Sequence, residues 1–415
     1  MSALTNKPGS IENDVLLNAL DRARVLVCAG TGGVGKTTIS AALAVRAAER
    51  GRRTLVLTID PARRLADALG LASLTSEPTR VELDPDNEQN TSRESGTLHA
   101  MMLDPKPTFD ALVHRLTEDP AARTRILENR IYRHLSEALA GSAEYAAMEQ
   151  VREAVESGNY DLVIVDTPPA THALDFLAAP RRLREFLDGR FVAALIRPAM
   201  SASRFGFRVL GQSLHKMMGL VERIAGVGFL DDISEFLSAI DGLTEGFREG
   251  TARVEEILLG ESTRYVLIGG SRAAFEPGAL EFLDALEELE VQLAGVILNR
   301  VAPWPSQRPV ERVLDEASVA ALARDAEKLA DALSAPPESE DEASAARDAD
   351  ALLRLTCEAA RARADADASR DFLDKRIAPL GLRSRLVAEQ AQEVDRLEGL
   401  KRIAEELVGS EPNGH

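Results

Sequence analysis

The chain has 415 residues, 45% of them hydrophobic, enough for one large core or two to three ordinary ones. Acidic side chains number 67 against 49 basic ones, and the resulting formal charge of -18 argues against nucleic acid as a main partner, because phosphate is repelled. Cys28 and Cys357 supply neither a disulfide framework nor a CxxC pair for zinc, so a reducing compartment, the cytosol, is the expected setting.

Residues 1–23 read as an N-terminal extension. It opens MSALTNKPGSIENDVLLNAL, without the basic start and the apolar run of an export signal. No window reaches the roughly 18 uninterrupted apolar residues of a membrane span. The greasiest, FVAALIRPAM, is broken by Arg197 and Pro198, so contact with a membrane is expected only through a partner.

From Arg24 the pattern is strand (RVLVCAG), glycine-rich loop (TGGVG), helix (KTTISAALAVRAAERG, ending at Gly51) and strand (TLVLTID). The strands are continuous apolar runs, as parallel strands buried on both faces are. DLVIVDT (161–167), RYVLIGG (264–270) and LAGVILNRV (293–301) repeat the pattern. The predicted fold class is α/β, a doubly wound and mostly parallel sheet. Its core is expected in three pieces, 24–107, 158–180 and 261–333.

Two helical blocks, 108–157 and 181–260, are longer than ordinary crossovers and read as insertions forming a helical subdomain. In the second, Leu210, Leu214, Met217, Val221 and Ile224 recur at helical spacing, with Met218 beside Met217. Flexible, polarizable methionines suit a groove for varied apolar ligands, and the same stripe reads equally as core. Residues 78–97 read as a polar loop, 334–351 as an acidic linker and 352–415 as a C-terminal helical part.

Gly30, Thr31, Gly32, Gly33, Val34, Gly35, Lys36 and Thr37 fit G-x-x-x-x-G-K-[ST] between a buried strand and a helix start, the context that makes this pattern a phosphate-binding loop. Glycines let successive backbone N–H groups point at a phosphate, and the helix N-terminus adds its positive end. Lys36 is the point charge for the β- and γ-phosphates, Thr37 a Mg²⁺ ligand, and Thr38 the contact to the α-phosphate. Asp166 ends the strand LVIV, where a carboxylate holds Mg²⁺ directly or through water, and Asp60 ends TLVLTID at the same sheet edge. Asp60 is the candidate for directing or deprotonating the attacking water.

Together GTGGVGKTT, TIDPARRLADALG and DTPPATHALDFLAAP resemble the ArsA-type ATPases, which include arsenical pump ATPases and the guided-entry ATPases that target tail-anchored membrane proteins. The resemblance runs through nearly the whole chain in motif order and is weaker in the last hundred residues. It implies a P-loop NTPase of the SIMIBI type, using ATP and Mg²⁺, with Asp60 and Pro61 in switch I and Asp166, Thr167, Pro169 and His172 in switch II. It also implies that Asn299 meets the adenine base; from residue type alone Asn299 is equally an asparagine that starts a loop.

Departures from the family pattern shape the expected partners. Thr31 stands where the family usually carries a lysine that reaches across a dimer to the other subunit's phosphates, so that charge must come from elsewhere. A heterodimer with a lysine-bearing paralogue would supply it; a homodimer would hydrolyse slowly. Arg63 and Arg64 are substitutes within the chain, or simply solvent-facing side chains. The zinc-binding CxxC of the dimeric targeting branch and the arsenite-responsive cysteines of the pump branch are both missing. The implied function is an ATP-driven chaperone or targeting factor for apolar segments. The alternatives are the motor subunit of an anion pump and a partitioning-type switch; the acidic, mixed C-terminus KRIAEELVGSEPNGH lacks the basic anchor common in the last.

Overall fold

The computed structural model describes residues 15–30, 32–60, 63–83, 96–130, 132–133, 142–167, 244–270, 283–301, 362, 364, 366–380, 382–390, 394 and 396–408. Thr31, Pro61, Pro169, His172, the expected groove residues Leu210, Leu214, Met217, Met218 and Val221, and the acidic stretch 334–351 lie outside them.

In chain order the elements that frame the site are α1 (Val15–Arg22), β1 (Val25–Gly30), α2 (Lys36–Glu49), β2 (Arg53–Thr58), α3 (Arg64–Ala68), β3 (Thr79–Val81), β4 (Thr97–Met102), α4 (Pro105–Leu116), α5 (Pro120–Glu128), α6 (Ser142–Glu156), β5 (Leu162–Asp166), α7 (Thr244–Leu259), β6 (Thr263–Gly269), β7 (Leu293–Val301), β8 (Ser384–Ala388) and α8 (Leu397–Val408). The eight strands form one sheet in the order β3-β4-β2-β5-β1-β6-β7-β8. Every neighbouring pair is parallel except β3 with β4. The molecule is thus α/β with a mostly parallel sheet, as the apolar runs predict.

The central strands are hydrophobic throughout because both faces are covered. All six residues of β1 and all five of β5 are buried. Alternate residues feed two cores. Val25, Val27, Val163 and Val165 join Met148, Val151 and Val254 of α6 and α7 on one face, where Phe109 of α4 also packs and stacks on the buried Tyr145. Leu26, Cys28, Leu162 and Ile164 join α1, α2, α3 and α8 on the other.

Helix α2 explains its own composition: from Ile39 to Ala48 every residue is buried, so alanines let it lie close against the sheet while α8 covers its outer side. Gly51, at φ 86°, turns the chain out of the helix and into β2. Helices α4 and α5 start alike, with Asp104 and Asp119 as caps accepting backbone N–H groups and a proline in the first turn.

Three strands were not read from the sequence. Strand β3 falls inside the stretch 78–97 expected to be a polar loop, β4 follows it, and β8 falls inside the C-terminal part expected to be helical. They lie at or next to the sheet edges, where one face or one side stays open and the apolar signal thins. Of the five residues of β8 only Val387 is fully buried. No helix among the described residues is long and apolar enough to cross a membrane.

Candidate functional site

The parallel strands deliver their C-terminal ends to one sheet edge, the place where doubly wound sheets bind ligands. At the end of β1 the chain enters the glycine-rich loop, and α2 begins at Lys36. Gly30 lies so close to β6 that a Cβ there would collide with the Ile268 carbonyl. Gly35 caps α2 at φ 88°, a left-handed conformation that favours glycine, and a Cβ there would strike the Asn299 amide. Gly32 and Gly33 are exposed at the crest, Val34 is buried beneath, and Thr37 and Thr38 are half-buried on the first turn.

Pairing in the sheet sets Asp166 opposite both Cys28 of β1 and Thr58 of β2. Thr37 donates its hydroxyl to Asp166 Oδ2 at 2.7 Å, and Thr58 donates to the same oxygen at 2.9 Å. The other oxygen, Oδ1, is buried without a hydrogen-bond partner. Burial pushes the Asp166 carboxyl up to about 6, against the pull of the two hydroxyls and the Lys36 amine. Burial likewise pushes the Lys36 ammonium below its ordinary range, while Asp166 and Asp60 oppose that shift. Two oppositely charged groups, each desolvated, therefore sit at the loop.

Asp60 lies just past β2, half-buried. Its backbone N–H donates to the Thr58 hydroxyl at 3.2 Å, and Arg64 of α3 donates to Asp60 Oδ2 at 3.2 Å. The Thr58 hydroxyl therefore links the two strand-end acids. No motif singled it out; the sign was a lone hydroxyl closing an apolar run, two residues before Asp60. Of the arginines after Asp60, Arg64 is the one paired with it, while Arg63 bonds the Ala72 carbonyl. Thr167, following Asp166, donates its hydroxyl to the Cys28 carbonyl at 2.8 Å. Cys28 lies beneath the loop, and burial pushes its thiol up to about 12, so it stays protonated.

Asn299, near the end of β7, is buried and donates Nδ2 to the Val34 carbonyl at 2.8 Å. The structure thus brings Gly30, Gly35, Lys36, Thr37, Asp60, Asp166 and Asn299 to one edge. A buried carboxylate oxygen with no partner, beside a threonine hydroxyl on a helix N-terminus, fits a hard divalent cation such as Mg²⁺, which takes oxygen ligands.

A family model described as "Anion-transporting ATPase" matches residues 23–316. Among the chain's relatives, "ATPase ARSA2" of Chlamydomonas reinhardtii is 26% identical over 304 residues, covering 72% of this chain and 74% of its own. "Putative arsenical pump-driving ATPase 2" of Aquifex aeolicus (strain VF5) is 25% identical, covering 68% and 81%. "ATPase GET3" of Mycosarcoma maydis is 29% identical, covering 51% and 54%. With the family model spanning most of the sheet and the loop, strand-end acids and Asn299 gathered at its edge, the chain belongs to the anion-transporting ATPase family and is an ATPase of that family.

Proposed function

We propose that the chain is a Mg²⁺-dependent ATP switch, working in the cytoplasm as a dimer, whose helical segments bind apolar segments of membrane proteins in step with hydrolysis. One observation carries the chemical half of this reading: Lys36, Thr37, Asp60 and Asp166 converge at the mouth of a phosphate-binding loop. Thr37 and Asp166 would hold Mg²⁺, which when bound would supply positive charge against the β- and γ-phosphates. Lys36 stabilises the same oxygens from the loop side. Asp60 orients the attacking water and takes its proton as the water oxygen bonds to the γ-phosphorus and the bond to the bridging oxygen breaks; for this it must leave Arg64. Asn299, whose Nδ2 carries a second hydrogen, directs it to the adenine base.

The switch half follows from connectivity. The segment after Asp60 leads through β4 into α4, α5 and α6, and the segment after Asp166 leads into α7, so strand ends that sense the γ-phosphate pull on helices of both insertions. The domain pieces 24–107, 158–180 and 261–333 then act as the engine, and 108–157 and 181–260 as the moving part, with the groove formed by Leu210, Leu214, Met217, Met218 and Val221. The related ATPase GET3 sequences and the motif resemblance to guided-entry ATPases favour this reading. Thr31 makes a lysine-bearing paralogue the fitting second subunit, and a slow homodimer the other.

The first test is phosphate release from ATP by Lys36→Ala protein, which should be abolished; unchanged turnover would remove the site assignment. The second is capture with Asp60→Asn protein loaded with ATP, which should recover proteins with transmembrane segments and a lysine-bearing paralogue. Recovery of neither overturns the client groove and the heterodimer together. A second reading, the motor subunit of an anion pump, draws on the names of the family and of the Aquifex aeolicus relative. Co-purification with a membrane transporter would favour it.

A further inference from the structure

Arg300 follows Asn299 in β7 and adopts φ 58°, a left-handed backbone that residues with a Cβ rarely take. Its Nη1 donates to the Gly33 carbonyl at 3.0 Å, while Asn299 Nδ2 donates to the Val34 carbonyl at 2.8 Å. Successive residues of a regular strand point to opposite faces, so two neighbours could not both reach neighbouring carbonyls of one loop. The left-handed turn at Arg300 makes it happen. The pairing of β7 with β8 shifts register between Leu298 and Val301, where this turn falls.

The strain has no packing reward: Arg300 is exposed, whereas Asn299 is buried. A left-handed arginine held over a phosphate-binding loop is a backbone cost kept for an interaction outside the folded core. The bond to Gly33 fixes one edge of the guanidinium on an exposed side chain that is next in sequence to the buried Asn299. A flat, delocalised cation with one edge fixed is suited to stacking on an aromatic ring.

We propose that Arg300 is a specificity-determining residue that stacks its guanidinium on the purine base of the bound nucleotide, locking the base to the crest of the loop and separating nucleotides from bare polyphosphates. It rests on the reading of the loop as the ATP site. Asn299 reaches the base edge, Arg300 covers its face, and both are tied to the loop that holds the phosphates, so base and phosphate occupancy reinforce each other.

The test is calorimetric binding of Mg-ATP and of inorganic tripolyphosphate with Mg²⁺ to wild-type and Arg300→Gly protein. Glycine accepts the left-handed backbone, so the turn in β7 is kept while the side chain and its bond to Gly33 are removed. Loss of Arg300 should weaken ATP about ten-fold and tripolyphosphate less than about two-fold. Equal weakening of both ligands would mean that Arg300 only braces the loop and would overturn the proposal, as would no weakening of either. Wild-type protein that binds neither ligand would instead remove the phosphate-site reading, a failure visible before any Arg300 variant is made.

Discussion

The hydroxyl of Thr37, at the start of α2, hydrogen-bonds Asp166 at the end of β5, 129 residues later in the chain, at 2.7 Å. Thr58 bonds the same carboxylate oxygen from the other side, and Oδ1 is left buried and unpaired. The protein without ligand therefore maintains a desolvated, half-satisfied acid at its centre. That arrangement costs stability, and a bound cation would offset the cost.

Asp166→Asn should accordingly stabilise the ligand-free protein while destroying its response to Mg-ATP. Burial raises the Asp166 carboxyl from 3.8 to about 6, so the folded chain binds a proton more tightly than the unfolded one and stability falls as pH rises through that window. Above it, a neutral amide that still accepts from Thr37 and Thr58 should add about 1–3 kcal/mol. Urea unfolding at neutral pH in the presence of a chelator, repeated with saturating Mg-ATP, reads both effects. A variant no more stable than wild type in chelator would show that the carboxylate is already satisfied.

Thr58→Val keeps the shape of the side chain and removes the hydroxyl that donates to the Asp166 carboxylate and accepts the Asp60 backbone N–H. Substrate contacts remain intact, so nucleotide affinity should change little, whereas turnover should drop about ten-fold because the acids are less well oriented. Steady-state kinetics separate the two quantities. A rise in KM at constant kcat would place Thr58 in binding instead.

The central strands and the loop were legible because they follow from one-dimensional patterns: buried runs of five to six residues and a glycine-lysine-threonine spacing fixed by phosphate geometry. Asp60 and Asp166 were legible because they end such runs. Thr58 was not, since its role comes from strand pairing that sets it opposite Asp166, and pairing order is not written locally. Arg300 was hidden for a related reason: its reach to the loop depends on a left-handed turn inside a strand, and nothing in LAGVILNRV marks arginine for that conformation. Edge strand β8 was lost because Ser384 and Arg385 make it look like surface helix or loop.

Away from the loop, Glu149 of α6 is 2% exposed and bonded by Arg152 at 2.7 Å and by Arg115 of α4. Burial pushes its carboxyl up, but the two guanidiniums outweigh burial and hold it below the usual range. A depressed carboxyl contributes stability above its unfolded pKa and loses it as pH falls through the folded value. Glu149→Gln should cost about 2–4 kcal/mol at neutral pH, because Arg115 loses its carboxylate and Arg152 is left with Glu156 alone. The gap to wild type should narrow as pH falls below the usual glutamate range and close once pH passes the depressed folded value, where the wild-type carboxyl is neutral too. Denaturation midpoints across that range give the answer, and a gap independent of pH would assign the loss to packing.

Gly30 and Gly35 flank the loop and should respond to alanine in different ways. A Cβ at Gly30 meets the Ile268 carbonyl, part of the backbone of β6 and unable to yield without parting two central strands. A Cβ at Gly35 meets Nδ2 of Asn299, the end of a side chain. Gly30→Ala should therefore fail to give folded protein, and no side-chain change should rescue it. Gly35→Ala should fold with a loss of about 1–3 kcal/mol, part collision and part the cost of alanine at φ 88°. Adding Asn299→Ala removes the collision but leaves the backbone cost, so the double variant should be more stable than Gly35→Ala alone and still bind ATP poorly. Thermal midpoints of the single and double variants measure that coupling. Strict additivity would mean that Asn299 moves aside from the new Cβ without cost.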